Sequence, residues 1–146
     1  MPPVDISSAL ICNYAEVREG LLFVTGGAVT RLVRPAYPST LGVCVGIVLE
    51  GTEGEVAGIP HELRLVVRDS DGHTVAEVTG GFQAGDNLQV EPGELVQLPV
   101  AFNLMGVAIP GPGAYDIDVG LDGGDRAGQP ERTLTIRAIL VAAPPA

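Results

Sequence analysis

The sequence predicts an all-β fold, a sandwich or barrel of about 8–10 short strands, and three observations predict it. Glycine (20 residues) and proline (12 residues) are spread between apolar runs, as turn punctuation is. Several of those runs alternate apolar and polar residues with the period of two that a half-buried strand requires. No long stretch repeats with the helical period, and no segment recurs at the spacing of a repeat protein. With 46% hydrophobic and 18% charged residues and a mean hydropathy of +0.32, the chain has enough apolar surface to offset the entropy of ordering. Its 146 residues fit one domain spanning 1–146.

The first candidate strand covers 9–17. The next two, 21–25 and 28–34, are separated by Gly26-Gly27, a two-residue turn that would pair Val24 with Val29 and set Leu22 opposite Arg31. Val29 and Val33 flank Arg31 on its own face, which places this arginine at a covered edge and makes it a candidate binding residue. Segment 41–49 is apolar on both faces, with Leu41, Val43, Val45, Ile47 and Leu49 on one side and Gly42, Cys44, Gly46 and Val48 on the other. That pattern belongs to a central strand, and the small second face invites close packing by another subunit.

Segments 62–69 and 74–79 flank Asp71-Gly72, a strong hairpin signal. The turn would pair Val67 with Ala76 and Leu65 with Val78, leaving Arg64, Arg68 and Glu77 outside; a slip of one residue would face Glu77 toward Leu65. A further segment is expected at 83–90. In 95–104, Val96, Leu98, Val100, Phe102 and Leu104 share a face. Residues 95–115 carry no charge, but Pro99, Pro110 and Pro112 make a strand and loop of them rather than a membrane span. Segment 114–121 puts Tyr115, Ile117, Val119 and Leu121 inside and Asp116, Asp118 and Gly120 outside. Segment 132–141 aligns Leu134, Ile136, Ala138 and Leu140.

Eight basic residues, all arginine, face 18 acidic ones, for a formal net charge of -10. That balance argues against a nucleic-acid partner, which needs a basic stripe to displace counterions, and reads as a solvated surface. Met1 to Val17 lacks a basic leader and carries Asp5 and Glu16, so a cytoplasmic protein without a membrane segment is expected. Cys12 and Cys44 are expected as buried free thiols; a disulfide crossing the sandwich is the alternative.

No catalytic constellation is legible. His61 and His73 are the only histidines, and the hairpin register sets them roughly 30 Å apart at about 3.3 Å per step, too far to share a site. No metal-ligand spacing, phosphate loop or nucleophile elbow occurs, so no catalytic residue, resident metal or cofactor is expected. Asp69-Ser70-Asp71-Gly72 resembles the opening of a calcium loop, but Gly80 stands where the closing glutamate belongs, and a turn accounts for it. Asp116, Asp118, Asp122 and Asp125 form an acidic rim at the end of one strand, a candidate site for a small ligand or cation.

The stretch Cys12-Asn13-Tyr14-Ala15-Glu16-Val17, followed by Gly20 to Gly27, resembles an uncharacterised family of small bacterial domains, in which an Asp/Asn-aromatic-Ala strand leads into a hairpin closed by Gly-Gly. Phe102-Asn103-Leu104, Pro112-Gly113-Ala114-Tyr115 and Leu121-Asp122-Gly123 resemble that family's second half. The resemblance implies an immunoglobulin-like antiparallel β-sandwich of unknown function and transfers no site residue. The expected role is a non-enzymatic interaction or structural module that binds another protein or self-associates in a bacterial or phage-like assembly. A ligand- or cation-binding module and a cryptic carboxylate hydrolase are the alternatives.

Overall fold

Residues 114–121, which alternate in sequence, lie in the central strand of a five-stranded sheet. The computed structural model describes residues 4–85, 88–122 and 131–142. Its strands are β1 (Asp5–Arg18), β2 (Leu21–Gly27), β3 (Arg31–Arg34), β4 (Ser39–Thr40), β5 (Cys44–Gly51), β6 (Pro60–Arg68), β7 (Thr74–Gln83), β8 (Val96–Asn103), β9 (Ala108–Ile109), β10 (Gly113–Leu121) and β11 (Arg132–Leu140). One helical turn, α1 (Glu53–Val56), follows β5. The larger sheet runs β3-β11-β10-β6-β7, a second runs β2-β1-β5-β8, and β4 pairs with β9. The fold is therefore all-β.

Both large sheets feed one apolar cluster. Ile11, Val45, Ile47 and Leu49 come from the four-stranded sheet; Leu63, Leu65, Val67, Ile117, Val119 and Ile136 come from the five-stranded one. The strands read as core from sequence supply this cluster, with Tyr115, Ile117 and Val119 of β10 buried and Asp116 exposed. The β6–β7 hairpin has the expected pairing of Leu65 with Val78 and Val67 with Ala76, but a bulge after Val67 sets Arg68 opposite Thr74, so the chain turns over Asp69 to His73 and not on Asp71-Gly72 alone. Gly72 takes the positive φ its turn requires, at 84°. On the outer face Arg64 Nε donates to Glu77 Oε1 at 2.7 Å.

Four expectations are corrected. Gly26-Gly27 does not close a hairpin: β2 pairs with β1, Val24 lies opposite Ala15, and the turn is Glu19-Gly20, both at positive φ. Arg31 begins a strand in the other sheet, parallel to β11 and in register with Arg137, so the architecture is not wholly antiparallel. Of the segment 83–90, only Gln83 lies in a described strand, at the end of β7. Finally, Cys12 and Cys44 face each other on neighbouring strands of one sheet, so a disulfide between facing sheets has no geometry here.

The small second face of β5 is covered from within the chain. Leu22 of β2 packs on Cys12, Ala15 and Cys44. A Cβ added at Gly46 would stand 3.2 Å from Leu22 and 3.5 Å from Val24. The absent side chain of Gly46 is what lets the β1–β2 hairpin settle there, so this face is not left open for another subunit.

Candidate functional site

Among the described residues of the acidic rim, Asp122 parts from Asp116 and Asp118. Asp116 and Asp118 point outward from β10 and are each taken by a β11 hydroxyl: Thr135 Oγ1 donates to Asp116 at 2.8 Å and Thr133 Oγ1 to Asp118 at 2.9 Å. Arg68 Nε stands 3.0 Å from Asp118 Oδ2, an ion-pair separation without hydrogen-bond direction. Asp122 turns elsewhere at φ 54°: its Oδ2 lies 2.7 Å from His61 Nδ1, and its Oδ1 accepts the Glu62 amide at 3.0 Å. Asp125 lies outside the described residues. Arg31, the other candidate, is exposed on edge strand β3 rather than covered.

His61 is buried, stacked on Phe82 with ring centroids 5.5 Å apart. Its Nε2 faces the Glu55 carbonyl at 3.0 Å. Both nitrogens thus point at acceptors inside the protein, and neither is presented to a substrate as a general base must be. The His61–Asp122 contact ties the exit of β10 to the start of β6 and to α1. A separation of 61 positions left no local signal for it in the sequence.

His73 belongs to the β6–β7 turn. Asp69 Oδ1 accepts the amides of Asp71 at 3.0 Å and His73 at 2.9 Å. Ligating atoms of Asp69, Asp71 and His73 lie within 4.8 Å of one another, but the hydrogen bonds are those of a turn closing on itself. A groove of about 200 Å³ near α1 is lined by Asp5, Glu50, Thr52 and Glu55 among others. Glu55 Oε1 accepts from Thr52 N at 2.8 Å and Thr52 Oγ1 at 2.7 Å, a capping contact. Those bonds, the backbone one first, hold the Glu55 carboxyl below its ordinary range, opposite to the shift a general acid needs.

The β1–β2 hairpin is the most unusual surface. Register sets Tyr14, Glu16 and Arg18 beside Thr25, Phe23 and Leu21 on one face. Leu21 is 62% exposed, and Tyr14 and Phe23 each 46%. Arg18 reaches Glu16 at 2.8 Å and lies over the Phe23 ring at 5.2 Å, while Tyr14 Oη donates to Glu16 Oε2 at 3.2 Å. The negative Glu16 side chain raises the Tyr14 phenol above its ordinary value. Val17 and Val24 add exposed apolar surface on the same hairpin. The sequence carried a signal for this: Leu21-Leu22-Phe23-Val24 is apolar on both faces, which an edge strand can bury on only one side.

Fold and surface together define an all-β protein that, among the described residues, exposes an apolar hairpin. The chain belongs to a family of unknown function, DUF6941, whose family model covers residues 7–132. No curated protein matches it. No helix among the described residues is long and apolar enough to cross a membrane.

Proposed function

We propose that this chain is a non-enzymatic interaction module of immunoglobulin-like build that binds an extended segment of another protein along the free edge of β2. Two features support the build. The orders β1-β5-β8 and β11-β10-β6-β7 correspond to the A-B-E and G-F-C-C′ arrangements of an immunoglobulin-like sandwich. Near the start of β10, Tyr115 Oη donates to the Gly111 carbonyl at 2.7 Å, the contact of a tyrosine corner.

The observation that carries the binding role is the edge of β2, which no strand among the described residues covers. Each of the other three edges of the two large sheets bears a feature that discourages strand addition. Strand β8 carries Pro99, β3 is four residues long and bounded by Arg31 and Arg34, and β7 carries Glu77. Strand β2 has no charge and no proline, and it projects Leu21 and Phe23 into solvent. Unpaired backbone groups beside apolar side chains are what strand-addition recognition uses. A net charge of -10 opposes a second copy as occupant and favours a neutral or basic segment of a different protein.

A photo-crosslinking residue at Phe23, with a control at Thr79 on β7, tests this in the producing cell. A defined heterologous adduct from position 23 and none from position 79, with the linked peptide mapped by mass spectrometry, is the expected result. Adducts only between copies of the chain, equal adducts at both positions, or none would overturn it. The acidic rim and carboxylate hydrolysis have weaker support, since Asp116, Asp118 and Asp122 are engaged within the protein and Glu55 is shifted away from acid chemistry.

A further inference from the structure

Strands β1 and β5 run antiparallel with Cys12 directly opposite Cys44. Opposed residues in such a pair have Cα atoms about 4.5–5.5 Å apart, within the range of about 4.4–6.8 Å that a disulfide spans. Both side chains lie on the outer face of β5, in one small cluster with Ala15, Leu22 and Ala101. Cys12 Sγ sits 3.5 Å from the Cys44 carbonyl oxygen, and both thiols are free. A pair placed this way needs only side-chain rotation to join, without strand movement.

We propose that Cys12 and Cys44 form a reversible disulfide across β1 and β5, gated by Leu22 of β2, which packs over them. The sulfurs are buried beneath Leu22, so an oxidant reaches them when Leu22 of β2 moves aside. Burial first, and then the neighbouring Cys44, push the Cys12 thiol above its ordinary value of 9.0, which keeps the closed form unreactive.

The oxidant is a low-molecular-weight disulfide. With Leu22 moved aside, Cys12 loses its proton to water and attacks one sulfur of the reagent; the reagent's S–S bond breaks and one thiolate leaves. Cys44 then loses its proton and attacks the Cys12 sulfur of the mixed disulfide, forming the Cys12–Cys44 bond and expelling the second thiolate. Two protein thiols are oxidised, and the reagent is reduced to two thiols that take up the two protons. The new bond closes a loop between positions 32 apart and pins β1 to β5.

The full folded chain, incubated with hydroxyethyl disulfide, quenched by alkylation and weighed intact, provides the test. The expected product is two hydrogen masses lighter, carries no alkyl group, unfolds at a higher temperature and reverts with dithiothreitol. Leu22→Ala should form it several-fold faster, and Cys44→Ser should stop at the mixed disulfide. The proposal is overturned if the wild-type chain keeps two alkylatable thiols, or if the disulfide appears only at the rate of global unfolding and is not accelerated by Leu22→Ala. Should that variant fail to fold, the wild-type rate compared with the unfolding rate decides alone.

Discussion

The hairpins β6–β7 and β1–β2 both end in an edge strand, yet they divide their apolar residues in opposite ways. In β6–β7 every long aliphatic side chain of the inner face enters the shared core, Leu63, Leu65 and Val67 among them, and the outer face is held by Arg64 and Glu77. In β1–β2 the same kinds of side chain are split: Leu22 seals the thiol pair while Leu21 and Phe23 stand in water. The first hairpin is built for folding. The second leaves apolar surface that folding does not use, which is where a binding surface is to be sought.

Replacing one leucine in each hairpin gives the largest contrast. Leu65→Ala should cost about 2–5 kcal/mol in chemical denaturation, the loss of a fully buried side chain plus its cavity. Leu21→Ala should change stability by less than about 0.5 kcal/mol, while weakening the heterologous adduct expected at Phe23. Equal costs would erase the distinction.

Next is the seat of the hairpin. Gly46→Val places methyl groups where Leu22 and Val24 now pack and should cost about 1–3 kcal/mol. Amide exchange should accelerate through β2 with little change in β6 and β7. Uniform acceleration would mean that the two hairpins open as one unit.

The smallest effect concerns the outer face of β6–β7. The hydrogen bonds from Arg64 hold the Glu77 carboxyl below its ordinary value of 4.5. A carboxyl depressed in the folded state adds stability above its unfolded value, and that stability is lost as pH falls through the folded value. Glu77→Gln should therefore lower the melting temperature slightly at neutral pH, and the difference should shrink as the pH falls below the depressed Glu77 value. A difference that persists in acid would place the effect in packing rather than charge.

The sequence by itself determined the fold class, the alternation of β10, and the register of β6–β7. In each, burial on one face is a local signal; at the β6–β7 turn it fixed which residues face inward, while the bulge between Val67 and Arg68 was not legible. It also marked the small face of β5 as a place for close packing, but pointed to another subunit where the chain's own β2 packs. Tertiary structure alone decided that β2 pairs back onto β1, because Glu19-Gly20 and Gly26-Gly27 both offer positive φ and only the wider fold selects between them. It placed Arg31 in the other sheet, turned Asp122 away from Asp116 and Asp118 toward His61, and set Cys12 against Cys44. Each of these is a contact between segments far apart in the chain, fixed by which strands become neighbours, and a period of two carries no information about that choice.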